Sequence, residues 1–192
     1  MDWLMDKIVL GIIVGVISNF CFLTVLWRLK PRIEISPTIA KGKSTVNGQT
    51  IYRFKVVNKT RNDLVDIRAE LHLMKKYQVC RDSIVKSKRL SLKQGNPIVI
   101  EKFRRWHSST EYAFRFLSYE DIEKEWADFN ADSLRLRIFA RNAFWGVSAI
   151  VSQRYDNLEH LIKEGDFAKG YTFEIFPGAN AEQIQGPAQA VN

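Results

Sequence analysis

The chain has 192 residues, 46% hydrophobic and 26% charged, a composition that suits one folded domain with flanking segments and excludes a wholly disordered chain. Its formal net charge of +8 is unevenly spread: residues 28–105 hold 20 Lys and Arg against 6 Asp and Glu, whereas residues 106–192 hold 8 against 13. The basic half favours an anionic partner such as lipid headgroups, nucleic acid or an acidic protein face.

Ile8–Trp27 is a run of 20 residues without a charge. As a helix it covers roughly 30 Å, the thickness of a hydrocarbon core. Trp3 and Trp27 flank it where aromatic rings settle at a bilayer interface. The opening "MDWLMDK" carries two acids and one lysine, unlike the basic start of an export signal, so the run reads as a retained anchor. Lys7 precedes the run, while Arg28, Lys30, Arg32, Lys41 and Lys43 follow it. The positive-inside rule then places the remainder in the cytoplasm, below a single-pass inner-membrane helix spanning residues 1–30 with its flanks. Cys21 lies in the run and Cys80 far from it, which argues against an intramolecular disulfide and for a reducing compartment.

Gly11, Gly15, Ser18, Asn19 and Phe22 share one helical face. Gly11, Gly15 and Asn19 suit close helix–helix packing and a homo-oligomer within the bilayer. The alternative is that glycine is simply common in membrane helices and Asn19 bonds back to the Gly15 carbonyl.

Residues 31–48 read as a basic juxtamembrane linker and first strand. "AKGKST" there resembles the end of a phosphate-binding loop, but Pro37 stands where that loop needs glycine. Residues 49–176 read as a cytosolic β domain. "TIYRFKVVN" alternates Tyr52, Phe54 and Val56 against Arg53 and Lys55, and "LVDIRAELHL" puts Val65, Ile67, Ala69, Leu71 and Leu73 on one face. "NKTRND" between them is turn chemistry, so Asn58-Lys59-Thr60 is expected to be a turn rather than a glycan acceptor. Further strands are expected at 77–80, 84–92, 98–103, 112–116, 134–140, 147–153 and 171–176. Helices are expected at 118–129, with Ser118 as N-cap, and at 156–165. Residues 177–192 are expected to be a disordered tail. Ile138–Val151 reads as two strands around a turn, with conditional membrane insertion as the alternative. The fold class is mainly β: an N-terminal transmembrane helix followed by an immunoglobulin-like β-sandwich with two short helices, or second a small β-barrel.

Chemistry is sparse. His72, His107 and His160 lack metal-ligand spacing, and Glu120, Asp121, Glu123, Glu125 and Asp128 share one short helix. No cofactor, metal or enzymatic activity is expected. The basic stretch "KKYQVCRDSIVKSKRLSLKQG" supplies Lys75, Lys76, Lys86, Lys88 and Arg89, which with Arg28, Lys30 and Arg32 could face anionic headgroups or nucleic acid. "EKFRRWHSSTEYAFRF" adds aromatics beside arginines, the mixture that stacks on single-stranded nucleic acid; the plainer reading is core.

The order of an anchor, a "RPRIEISPTIAK"-like linker, "YRFKVVNKTRNDLVDIRAEL", "YAFRFLSYEDI", "LRLRIFARNAFWG" and "EGDFAKGYTFEIF" resembles small bacterial inner-membrane proteins with a cytosolic β domain. Some proteins of that plan look like membrane effectors of antiphage systems, including those encoded beside a retron reverse transcriptase. The resemblance implies a membrane-perturbing role in abortive infection, under a protein or nucleoprotein regulator. The alternative is a membrane-tethered binding or assembly module that recognises protein, anionic lipid or nucleic acid.

Overall fold

The structure, a computed structural model, describes residues 2–44, 48–79, 82–104 and 111–177. It is mainly β, with one N-terminal apolar helix and a curled half-barrel sheet. The helix, α1 (Asp2–Leu29), runs unbroken through the charge-free stretch. Leu10–Leu29 is long and apolar enough to cross a membrane, and its side chains are not buried inside the fold. Such a helix suits a membrane anchor or a signal sequence. Pro31 stands two residues past its last residue, with no N–H to continue the helical ladder.

The strands then run β1 (Ile33–Ile35), β2 (Ile39–Lys43), β3 (Thr50–Asn58), β4 (Leu64–Val79), β5 (Asp82–Leu90), β6 (Val99–Ile100) and β7 (Ala113–Ser118). After α2 (Ile122–Phe129) come β8 (Ser133–Asn142), β9 (Ser148–Tyr155), α3 (Leu158–Leu161), β10 (Ile162–Glu164), β11 (Asp166–Phe167) and β12 (Ile175–Phe176). One sheet is built on β3, with β7 along one edge and β1 and β2 along the other, β10 adding in parallel to β2. The second runs β5-β4-β8-β9, with β6 beside the start of β4. Residues 31–48 thus carry two paired strands.

Pro37 separates β1 from β2, because proline cannot donate to a ladder. Ser36 repairs the gap. Its N–H donates to the Lys55 carbonyl (2.8 Å), its Oγ accepts from the Lys55 N–H (3.2 Å), and its carbonyl accepts the Tyr155 hydroxyl of the other sheet (2.7 Å). Both sheets feed one hydrophobic cluster: Ile39, Phe54 and Phe116 from the first, Leu71, Leu134 and Leu136 from the second, and Ile122 from α2. Burying this cluster supplies the main drive for folding, at about 25 cal/mol per Å² of apolar surface.

The structure departs from simple alternation in places. Asp66 takes a positive φ of 51° and the β4–β8 register shifts between Val65 and Arg68, so Leu64 rather than Val65 is buried. A bulge of this kind moves one residue to the opposite face, which pattern reading cannot see. Lys55, expected to face outward, is 1% exposed beneath the 166–176 segment. The N-cap of α2 is Asp121, not Ser118, and its carboxylate accepts the Lys124 N–H at 3.2 Å. The helix expected over 156–165 lasts only Leu158–Leu161, since Ile162–Glu164 pairs with β2 instead. Gly165 ends that strand at φ +130°, where a Cβ would run into the Phe176 carbonyl. Strand structure in 171–176 is confined to β12. Ile138–Val151 forms the facing parts of β8 and β9 around a turn.

Candidate functional site

Two buried asparagines shape the end of the β domain next to α1. Asn58, 0% exposed, ends β3 and organises the turn that follows. Its Oδ1 accepts the Thr60 N–H (2.8 Å), and its Nδ2 donates to the carbonyls of Asn62 (3.0 Å) and Glu101 (2.8 Å). This is an Asx-type turn, which asparagine forms because its short amide mimics a peptide unit. Asn142, 1% exposed, does the same at the end of β8: its Oδ1 accepts the N–H groups of Phe144 (3.0 Å) and Trp145 (3.2 Å). Its Nδ2 donates to the Leu29 carbonyl at the last residue of α1 (3.3 Å), tying helix to domain.

The stretch leaving α1 is fastened to the first of these turns. The Arg32 N–H donates to Thr60 Oγ1 (2.8 Å), and the Lys59 N–H donates to the Arg32 carbonyl (2.8 Å). The antiparallel register of β1 on β3, Ile33 opposite Asn58, brings these two segments together. Between the two segments lies a cleft of about 560 Å³ lined by Trp27, Arg28, Leu29, Lys30, Arg32, Lys59, Thr60, Arg61, Asn62 and Asn142. Five of these are cations and none is a carboxylate. Lys59 is engaged, with Glu34 at 3.3 Å and its amine over the rings of Phe103 (5.1 Å) and Tyr171 (5.0 Å). Arg28, Lys30, Arg32 and Arg61 have no carboxylate partner among the described residues. An anion would relieve the mutual repulsion of such a cluster, and planar guanidinium groups match phosphate oxygens two at a time.

Arg28, Lys30 and Arg32 were legible in the sequence as flanks of the apolar run; Lys59 and Arg61 were not. They read as ordinary turn residues, and only the β1–β3 register brings them to the helix end.

The other expected basic residues lie elsewhere. Lys75 and Lys86 face each other across the β4–β5 ladder, with both amines near 5 Å from the Tyr77 ring centroid (5.0 and 4.9 Å). Lys88 pairs with Glu125, while Lys76 and Arg89 belong to the opposite face of the ribbon. From Leu64, beside Asn142, to Val79 the strand extends roughly 50 Å, so the far hairpin is well removed from the cleft. Arg81 and Cys80 lie outside the described residues, as do Trp106, His107 and residues 178–192 of the expected tail.

Four of the five carboxylates near α2, Asp128 being the exception, are engaged within the fold. The Tyr52 hydroxyl donates to Asp121 (3.0 Å) and Glu123 (2.8 Å), Glu123 also pairs with Lys41, and Glu120 accepts the Ser91 N–H (3.0 Å). Lys41 and the Tyr52 hydroxyl hold Glu123 below its ordinary pKa. Burial alone would raise Asp121, but the Lys124 N–H and the Tyr52 hydroxyl outweigh it and hold that carboxyl low. Burial, with Glu123 and Asp121 beside it, pushes the Tyr52 hydroxyl up. Groups fixed in this way are poor proton carriers at neutral pH. Phe103, Tyr112, Phe114 and Phe116 pack on one another or on Tyr171 rather than forming an open stacking platform. Among the described residues no group of three His, Cys, Asp or Glu side chains is placed to hold a metal ion.

On α1, nothing lies within 4 Å of a Cβ built at Gly11 or Gly15, and Asn19 is exposed on the same face. What the molecule presents, then, is an apolar helix, a cleft at its domain end whose only charged lining residues are cations, and no assembled set of reacting groups among the described residues. No protein-family model matches this chain, and no curated protein matches it at a significant level.

Proposed function

We propose that this protein is a non-enzymatic, membrane-tethered binding module: α1 crosses the inner membrane once, and the β domain stands in the cytoplasm with its Asn58/Asn142 end toward the bilayer. The observation that carries this reading is the cleft, in which unpaired cations collect at the end of the one apolar helix. Cations cluster on the cytoplasmic side of membrane helices, and anionic headgroups there attract them. The strand pairings support an immunoglobulin-like sandwich for the domain. Taking β1 and β2 as one kinked strand, the first, second and fifth main strands form one sheet, while the third, sixth and seventh form the other with the fourth beside the third.

The test is topology in cells carrying the full chain with a C-terminal tag. The protein should stay in the membrane pellet through carbonate washing, and protease should reach the tag only after the inner membrane is opened. Release into the soluble fraction, or cleavage of the domain in intact spheroplasts, would defeat the proposal.

A second reading has its own observation. The uncovered Gly11/Gly15/Asn19 face leaves room for another copy of α1 to approach closely, as an antiphage effector that perturbs the bilayer by assembling would require. Overexpression should then depolarise cells, and Gly15→Leu with Asn19→Leu should abolish the effect. Equal toxicity in the double variant would remove this reading and leave the first intact.

A further inference from the structure

The β8–β9 turn holds two large aromatics in the open. Phe144 is 75% exposed and Trp145 52%, and their rings meet edge to face at 4.8 Å. This exposure is built in. Asn142 Oδ1 fixes both N–H groups, and Gly146, at φ +67°, closes the turn by donating to the Asn142 carbonyl (2.9 Å). A loop under no constraint would fold such rings inward, since each carries roughly 150–250 Å² of surface to hide.

The same side chain that orients the turn also grips the end of α1. Through Nδ2, Asn142 donates to the Leu29 carbonyl, so one amide sets the aromatics against the helix terminus. Two residues earlier on α1, Trp27 is 74% exposed. Trp27 lines the cleft with Arg28, Lys30, Arg32 and Arg61, and Asn142, on which the Phe144–Trp145 turn is built, lines it too.

We propose that this end of the domain is a lipid-docking surface: the cleft takes the phosphate of an anionic lipid headgroup while Phe144 and Trp145 enter the interface beside it. The proposal rests on α1 spanning the membrane as argued above. The headgroup zone adds roughly 5–8 Å to each side of the hydrocarbon core, and a turn whose base is tied to the last residue of α1 lies within that zone when α1 spans the core. Aromatic rings settle in this zone, and guanidinium groups bind phosphate there in pairs. Docking would also give Ile138–Val151 a place at the bilayer without a second span: the strands stay in the domain and their turn dips in. Inorganic phosphate offers the cleft the same oxygens but nothing for the aromatics, so lipid is the ligand that uses the whole surface.

The experiment uses the full chain in nanodiscs of phosphatidylcholine with or without phosphatidylglycerol, released into native mass spectrometry. Wild type should retain phosphatidylglycerol selectively, and Arg32→Gln with Arg61→Gln should cut retention about tenfold or more. Lys76→Gln, on the distant hairpin, should leave retention unchanged. Millimolar inorganic phosphate should fail to displace the lipid; displacement, or no preference for phosphatidylglycerol, would overturn the proposal. In parallel, bromine-labelled phospholipid should quench wild-type tryptophan emission more than that of Trp145→Phe, and equal fractional quenching would remove the aromatics from the surface. Carbonate extraction of the same samples separates the two levels. A protein that washes off has lost its anchor and the reading beneath, whereas a resistant protein without lipid preference loses the docking surface alone.

Discussion

At the helix–domain junction five cations converge on one concavity; along the β4–β5 hairpin five cations are dealt alternately to the two faces of a ribbon. The counts are equal and the physics is not. The junction cations come from segments some thirty residues apart, held in place by two buried amides with several hydrogen bonds each. The hairpin cations follow one another along the chain, and strand geometry separates them: Lys75 and Lys86 to one face, Lys76 and Arg89 to the other. Lys88 is already neutralised by Glu125. Charge density in sequence gave both regions similar weight, yet convergence on a shaped surface separates the proposed binding site from a solvated edge.

The sharpest way to break this contrast is to remove the scaffold under the cleft. Asn58→Ala strips two carbonyls and the Thr60 N–H of their partners in a buried setting, and should destabilise the protein by about 3 kcal/mol. In a chain of this size that is a fall in melting temperature of roughly 6–12 °C. The control, Lys76→Ala on the hairpin, should stay within about 0.5 kcal/mol. Thermal melts of the full chain in one detergent compare the two directly. Equal shifts would mean that the cleft is no better built than the hairpin.

Asn142→Ala comes next. It leaves the Phe144 and Trp145 N–H groups to find water and frees the Leu29 carbonyl, for an expected loss of about 2 kcal/mol. Its signature is local: amide exchange at residues 143–146 should speed up far more than in the core of β8. Uniform acceleration would show a global effect and weaken the claim that Asn142 organises the turn.

These sites also mark how far the sequence could be read. The alternation from Ile67 to Leu73 and the uncharged run of α1 were plain, because burial imposes periods of two and long apolar blocks that a chain cannot disguise. The bulge at Asp66 leaves no such trace, since one inserted residue looks like any other polar one. Lys55 occupies an outward-facing position on β3, and nothing near it in sequence announces that residues 166–176 return to cover it. Half of the cleft was legible as helix flank. Lys59 and Arg61 were hidden by being correct turn residues as well, a double role only the tertiary register discloses.

Lys55 extends the comparison to a third condition, a cation buried and capped. Its Nζ donates to the carbonyls of Ala168 (2.6 Å) and Thr172 (2.7 Å). Burial, with Arg115 nearby, pushes its pKa down to about 8. A depressed lysine pKa means that the folded state surrenders the proton first. Stability should therefore climb as pH rises from about 8 toward 10, where the unfolded chain still holds that proton. Above about 10 the trend reverses, because burial raises the Tyr52 and Tyr155 hydroxyls and the unfolded tyrosines ionise more readily. Denaturant midpoints between pH 7.5 and 11 should pass through a maximum, and Lys55→Met should flatten its rising side. A monotonic fall from pH 7.5 in wild type would show that the buried ammonium is fully compensated by its carbonyls.

The smallest effect tests the hairpin itself. Lys75 and Lys86 are directly opposed, an arrangement that costs a few tenths of a kcal/mol in most sheets and is eased here by the Tyr77 ring between the amines. Lys75→Glu turns repulsion into attraction and should raise stability by about 0.2–1 kcal/mol, less at high salt. The same reversal in the cleft, Arg32→Glu, should leave stability nearly unchanged while removing affinity for anions, since Arg32 is exposed and acts together with its neighbours. Measuring both variants for melting and for retained anionic lipid gives a crossed result if the two regions differ as described: one gains stability and keeps its lipid, the other keeps stability and loses it. If Lys75→Glu also sheds lipid, the hairpin shares in binding, and the domain must then lie along the bilayer instead of standing on its Asn58/Asn142 end.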